Sequence, residues 1–414
     1  MSLFCHCLGV KSVQTAGIIA EYNPLHMGHV HLMEQTRRLL GADTAILCIM
    51  SGQYVQRGDF ALVGKYARAE AAVRSGADLV LELPLPWAVS SAERFADGGV
   101  RHLLATGLLT HLVFGSECGS AAPLQRLAAA LLSEKFPSRL KQELGLGVSF
   151  AAARQKAVEG LVSCEEASLL ESPNNILGVE YCKSLLRAES AVQPVTVSRV
   201  GAAHDSEAAE GEIPSASVIR ALLRSGERER ALGGMAPAMA EAFLAEETAG
   251  RAPVFRETCE RAILARLRTM TEADFAALDE GGEGLYRRLY AAVRKANSVD
   301  EVLELAKTKR YAYARLRRMV LWAYLGITPA DCPEQPLYLR PLAANETGRA
   351  LLAKMRKTAE VPVLTKPAAV RRLDEPARRL FELEARAADL YALAYPELTA
   401  AVPDSAWKES PVLL

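Results

Sequence analysis

The chain is expected to be an α/β protein, with a helix-covered parallel sheet over its first 225 residues and a mostly α-helical C-terminal domain after it. Three observations predict this. Short β-branched or apolar runs alternate with amphipathic stretches up to about residue 225, and strands apolar on both faces belong to parallel sheets covered on both sides. Beyond that point β-branched runs vanish, and Ala, Leu, Arg and Glu take over with helical periodicity to about residue 325. At 414 residues the chain exceeds one ordinary domain. The expected division is an N-terminal extension over 1–15, the α/β domain over 16–225 and the helical domain over 226–414.

The strands expected, in order, are Ala16–Ala20, Thr44–Met50, Leu79–Leu83, Leu112–Phe114 and Val195–Val200. Between them the apolar spacing changes to that of helices at Val30–Leu40, Lys65–Ser75, Ala92–Leu104, Leu124–Leu132 and Asn175–Leu186. Gly281-Gly282 and Pro329 to Pro336 read as joints in the second domain, and Val361–Leu364 as a short extended piece. Ligands of open parallel sheets bind at the carboxyl ends of the strands. The segments following the strands are therefore where function is expected.

Composition narrows the classes. With 49 basic and 49 acidic residues the formal charge is zero, so any polyanion must be met by a local patch rather than a global field. Half the residues are hydrophobic, which suits a packed chain and not a disordered one. The first dozen residues lack the apolar core of a signal peptide, and no apolar run reaches the roughly 18 residues of a membrane span. A cytoplasmic protein with no membrane partner is expected. Eight cysteines include no Cys-x-x-Cys pair, so reduced thiols are expected. Cys5-His6-Cys7 lacks a second ligand pair, and no metal site is assigned.

The most informative run is residues 17–32, GIIAEYNPLHMGHVHL. An apolar strand breaks at Tyr22-Asn23-Pro24, and two histidines flank a glycine where a helix begins. A helix N-terminus presents unpaired N–H groups and a positive dipole end, which suits phosphate. Gly28 leaves room for close approach. His26 and His29, three residues apart, lie on one helical turn and can aim both rings at the same oxygens; His31 falls on another face. The loop has neither the P-loop pattern nor the three glycines of a dinucleotide fingerprint. His-x-Gly-His on such a turn resembles the nucleotidyltransferase superfamily, whose members attack a nucleotide α-phosphate and release pyrophosphate. Imidazole N–H donors there would stabilise charge building in the transition state. Mg²⁺, held by phosphates and water, would neutralise the leaving pyrophosphate.

Other rim segments admit two readings each. Phe114-Gly115-Ser116-Glu117 is either a nucleotide contact at bare backbone or an ordinary tight turn. In Ser172-Pro173-Asn174-Asn175 one asparagine is explained as a helix cap, leaving the other to read a base or ribose. Ser217 and Arg220, at the start of a later helix, form a second phosphate clamp or a plain cap with a solvated cation. The polar loop Ser51 to Asp59, with Lys65, is long for a connection and suits a lid or acceptor pocket whose cations orient a small carboxylate. Finally, residues 307–318 hold six cations, two tyrosines and no acid. Lys307, Lys309, Arg310, Arg315, Arg317 and Arg318 are the candidate RNA contacts, because phosphate neutralisation with aromatic stacking holds RNA. The alternative is a solvated helix face.

Taken in order, GIIAEYNPLHMGHVHL, MSGQYVQRGDFALVGKYARAE, DLVLELP, FGSE, SPNNILGVEYCKSL, SRVGAAHD, SASVIR and KTKRYAYARLRRM resemble the bacterial tRNA(Met) cytidine acetate ligase family over most of the chain. The resemblance implies a Rossmann-like nucleotidyltransferase domain over 16–225 and a tRNA-binding helical domain over 226–414. It implies that ATP and acetate form acetyl-adenylate, and that the acetyl group passes to N4 of the wobble cytidine of elongator tRNA(Met). It also implies ATP contacts at Ile19, Ala20, Glu21, Tyr22, Asn23, Pro24, Leu25, His26, Met27, Gly28, His29, Val30, His31 and Leu32, with Gly115, one of Asn174 or Asn175, and Arg199. His204-Asp205 follows an alanine where the family more often has an aromatic residue. No protein partner is implied. Two rivals remain at this stage: a small-molecule adenylyltransferase of cofactor biosynthesis, and a non-catalytic RNA-binding adaptor on the same fold.

Overall fold

Seven strands form one sheet in the computed structural model, which describes residues 14–199, 214–278, 280–282 and 284–414. The strands are β1 (Thr15–Ala20), β2 (Ala45–Ser51), β3 (Leu79–Leu83), β4 (His111–Ser116), β5 (Gln193–Ser198), β6 (Pro341–Ala344) and β7 (Val412–Leu413), in the spatial order β5-β4-β1-β2-β3-β6-β7. The first five run parallel, and β6 joins β3 antiparallel. The expected α/β class is what forms. The extension with Cys5-His6-Cys7, and His204-Asp205, lie outside the described residues.

β2 and β3, inside the sheet, are almost wholly apolar because each faces two cores, while the edge strand β5 is more polar and largely half-buried. Leu47 and Ile49 of β2 enter a core with Trp87, Phe95 and Phe114, while Ile46, Cys48 and Met50 enter one with Tyr22, Met33 and Phe243 on the other side. The key helices are α1 (Met27–Leu40), α2 (Lys65–Arg74), α3 (Ala92–Leu104), α4 (Pro173–Arg187) and α5 (Ala216–Arg224). A third core lies mainly within residues 254–327 and includes α6 (Tyr313–Leu325).

The sheet continues past the expected boundary at residue 225. Leu79 to Leu83 are wholly buried, so the outer edge of β3 needs a partner, and β6 supplies it through Leu79↔Ala344 and Val80↔Ala343. Helix α7 (Glu375–Ala392) contributes Leu380, Phe381, Ala385 and Ala388 to the sheet core and Leu383, Ala387 and Tyr391 to the helical one. The expected extended piece at Val361–Leu364 is a single parallel bridge, Leu339↔Val363. Among the described residues no helix is long and apolar enough to cross a membrane.

Candidate active site

The carboxyl end of β1 leads into a tightly held loop. Tyr22 takes a left-handed backbone conformation, φ +48°, and Asn23-Pro24 is a cis peptide. Two side chains and one backbone hydrogen bond anchor the turn from three directions. The Tyr22 hydroxyl meets Cys48 Sγ of β2 at 3.3 Å. Asn23 Oδ1 accepts the Leu62 N–H at 2.7 Å and Arg220 Nη1 at 3.1 Å. The Leu25 carbonyl accepts the Ala236 N–H at 3.1 Å, so the segment before Pro237 braces the loop.

His26 is the N-cap of α1, and the two histidines lock each other in place. His26 Nδ1 accepts the Gly28 N–H at 3.1 Å, and His29 Nδ1 accepts the His26 N–H at 3.2 Å. Their rings lie 3.9 Å apart, and Tyr22 packs edge-on against His29 at 5.1 Å. Since both Nδ1 atoms accept, the neutral rings carry their protons on Nε2, facing away from the helix backbone. Burial above all, then the proximity of His26 and Arg199, holds His29 well below the ordinary histidine range. His29 is therefore a neutral N–H donor at physiological pH. The glycine between them has a second reason beyond phosphate approach: a Cβ at Gly28 would sit 2.9 Å from His26 Cε1. In the rest of the run, Ile19, Ala20, Val30, His31 and Leu32 are half-buried and Met27 is exposed.

The neighbouring rim joins this pair. Gly115, paired with Val197, has neither a positive φ nor a clash to explain it, since a Cβ there would only touch Arg199 Cγ at 3.4 Å. Arg199 Nη1 donates to Asn174 Oδ1 at 3.2 Å, and Arg199 is close enough to His29 to depress its basicity. His26, His29, Arg199, Asn174 and Gly115 thus converge. Asn175 does not join them: it is buried, and its Oδ1 accepts the Glu117 and Cys118 N–H groups at 3.1 and 3.2 Å. The α4 cap comes from Glu117, whose carboxylate accepts the Asn174 and Asn175 N–H groups. Neither asparagine caps α4: Asn175 holds the turn, and Asn174 meets Arg199 at the rim.

Arg220 is not a solvated cation. It is buried, pairing with Asp59 at 2.8 Å as well as with Asn23. Burial pushes the Asp59 carboxyl up, but Arg220 and the Phe60 N–H outweigh it and hold it below its ordinary range. Ser217 is exposed, bonded to the α5 cap Ser215 at 2.8 Å. Within the polar loop, Lys65 is unavailable to a substrate carboxylate, because it is buried against Glu82 at 2.6 and 2.8 Å. Arg57 is exposed. A residue given no separate role from the sequence, Arg68, ties these pieces together. Wholly buried, it donates to the carbonyls of Val63 at 2.8 Å, Glu21 at 2.6 Å and Ser51 at 3.2 Å, and to that of Gly52. It clamps the carboxyl ends of β1 and β2 together.

A helix-capping His-x-Gly-His at the rim of a parallel sheet is matched in known proteins along nearly the whole chain. The family model described as HIGH nucleotidyl transferase matches residues 13–404. The tRNA(Met) cytidine acetate ligase of Acetivibrio thermocellus is 36% identical over 397 residues, covering 92% of this chain and 95% of the relative. The protein of the same name from Fervidobacterium nodosum is 32% identical over 408 residues, covering 93% and 95%. The chain belongs to the tRNA(Met) cytidine acetate ligase family. The crystal structure of apo Thermotoga maritima TmcAL matches this ligase-family chain with a TM-score of 0.93, and that of TmcAL bound with alpha-thio ATP with 0.90. Each is 32% identical and covers 97% of this chain and all of the other.

The basic stretch divides on folding. Arg318 departs from the expected surface role: it is buried, grips both Glu280 carboxylate oxygens at 2.7 Å and reaches the Gln56 carbonyl at 3.4 Å. Arg315 donates to the Glu280 carbonyl at 2.9 and 2.7 Å, and Lys307 to that of Thr308 at 2.6 Å. Lys309, Arg310, Tyr313 and Arg317 are exposed. The polar loop packs against this helix. Gly58, at φ +75°, approaches so closely that a Cβ would lie 2.5 Å from the Arg318 nitrogen.

Proposed function

We propose that this member of the family activates acetate with ATP and acetylates N4 of the wobble cytidine in elongator tRNA(Met). An acetate oxygen attacks the α-phosphate, pyrophosphate leaves, and the cytidine amine then takes the acetyl group and releases AMP. The supporting observation is the interlocked His26–His29 pair, whose Nε2–H donors face away from the start of α1 beside Gly115, Asn174 and Arg199. Neutral donors fixed beforehand suit a pentacoordinate phosphorus, because they need no reorganisation as charge develops. Among the described residues no three His, Cys, Asp or Glu side chains are grouped to hold a metal. Mg²⁺ would therefore arrive as the nucleotide's counterion, neutralising the pyrophosphate as it departs. Buried Arg220 acts in this reading by holding Asn23 and so the loop, with Ser217 left as the exposed candidate for a β,γ-phosphate contact.

The test is incubation with ATP, labelled acetate and tRNA, followed by nucleoside analysis. Label in N4-acetylcytidine, dependent on both ATP and acetate, is the expected result. Pyrophosphate release indifferent to acetate and tRNA would favour a cofactor adenylyltransferase, and none at all an RNA-binding adaptor.

In the same reading Lys309, Arg310 and Arg317 carry the tRNA contact. Replacing all three with Gln should weaken tRNA binding and reduce the slope of log K against log salt by about 2, given roughly 0.7–0.9 per phosphate contact. Filter binding across a salt series measures this, and an unchanged slope removes the basic stretch from the RNA footprint.

A further inference from the structure

The carboxylate of Glu21 is turned towards the polar loop. Its Oε1 accepts the Gln56 N–H at 2.6 Å and lies 3.5 Å from Ser51 Oγ. Its Oε2 makes no hydrogen bond among the described residues, yet is not among the buried unpartnered atoms, so it reaches accessible space. The same Gln56 accepts Arg318 of the basic helix on its carbonyl. Gln56 thus orients Glu21 through its N–H and meets α6 through its carbonyl. From α4, Tyr181 comes within electrostatic reach of Glu21. Glu21 thus lies between the histidine turn that follows it in sequence and the polar loop that packs against α6.

We infer that Glu21 is the general base of the acetyl-transfer step, which rests on the ligase reading above. The lone pair of the cytidine N4 attacks the acetyl carbonyl carbon, forming the C–N bond. The bond from that carbon to the phosphate oxygen breaks, and AMP leaves with the electron pair. One N4 proton passes to Glu21 Oε2 and then to solvent. An exocyclic amine is a weak nucleophile that becomes strongly acidic once acylation begins, so an acceptor is needed on the RNA side of the site. Burial raises the basicity of Glu21 above that of an ordinary carboxylate, against the opposing pull of the Gln56 N–H, Arg57, Arg68 and Ser51. Among the described residues, the charged and titratable groups that act on it are Arg57, Arg68 and Tyr181. The carboxylate accepts a proton only when ionised, so transfer should slow as pH falls through that raised value.

Glu21→Gln tests this, because its amide oxygen still accepts the Gln56 N–H while its basic oxygen is lost. Adenylate formation is read by acetate-dependent exchange of pyrophosphate into ATP without tRNA. Transfer is read by mixing preformed enzyme-bound acetyl-adenylate with tRNA in a single turnover. Transfer should fall by about 100-fold or more, the usual loss of a general base, and exchange by far less. The wild-type acidic limb of the transfer profile should be absent from the variant. Transfer close to wild type in Glu21→Gln, or a parallel fall in both steps, overturns the assignment while the ligase reading stands. Absence of exchange in the wild-type protein sinks that reading and this inference together.

Discussion

His29→Ala should lower the rate of adenylate formation by about 100- to 1,000-fold, the loss on removing one preorganised donor, or roughly 2.7–4 kcal/mol. Acetate-dependent pyrophosphate exchange reads it directly, and tRNA affinity should stay near wild type because the ring is remote from Lys309, Arg310 and Arg317 in role and element. The partner residue needs a different substitution. His26 caps α1 through Nδ1, so His26→Ala would also lose a cap of about 0.5–2 kcal/mol. His26→Asn keeps a capping side chain but shortens the reach of the donor. It should retain the wild-type melting temperature and lose exchange as severely as His29→Ala. Normal exchange in either variant removes the imidazoles from the chemistry.

Arg68→Met should be the most destabilising single change near the site. It leaves four carbonyls, those of Val63, Glu21, Ser51 and Gly52, without their buried donor. Unsatisfied buried acceptors cost about 1–3 kcal/mol each and do not add fully, so a loss of about 3–5 kcal/mol is expected. Burial lowers the guanidinium's pKa to about 10, against the pull of Tyr391, Glu21 and Glu82, so it stays charged at neutral pH. Arg68→Lys keeps the charge but cannot span four carbonyls from one nitrogen, and should recover only part of the loss. Urea denaturation measures both variants. A change below about 1 kcal/mol in Arg68→Met would show that water replaces the guanidinium at little cost.

The sheet core and the histidine turn were legible because their signals are local. An apolar run, a Tyr-Asn-Pro break and a histidine pair at helical spacing need no tertiary information. The assignment of two adjacent asparagines was not, since successive positions on a helix point about 100° apart and only the turn at Glu117 and Cys118 decides which is drawn inward. β6 and β7 were invisible for a related reason. Pro-Leu-Ala-Ala has no β-branched residue, and it becomes a strand because β3 offers a buried edge. The basic run misled in part because 3.6-residue periodicity cannot expose every cation. Arg315 and Arg318, three apart, both turn to Glu280, while Arg317 turns out. One signal was present and passed over. Lys65 and Arg68 share the spacing of Ala69, Ala72 and Val73, which places two cations on a buried helix face. Charges on an apolar stripe mark residues with an internal task.

A crystal structure of this protein with a non-hydrolysable ATP analogue tests the central claim most directly. The account predicts the α-phosphate on the Nε2 side of the His26–His29 pair, with His26 Nε2 and His29 Nε2 about 2.7–3.1 Å from its oxygens and Arg199 beside it. A triphosphate bound elsewhere, with neither Nε2 atom within reach of a phosphate oxygen, would contradict it.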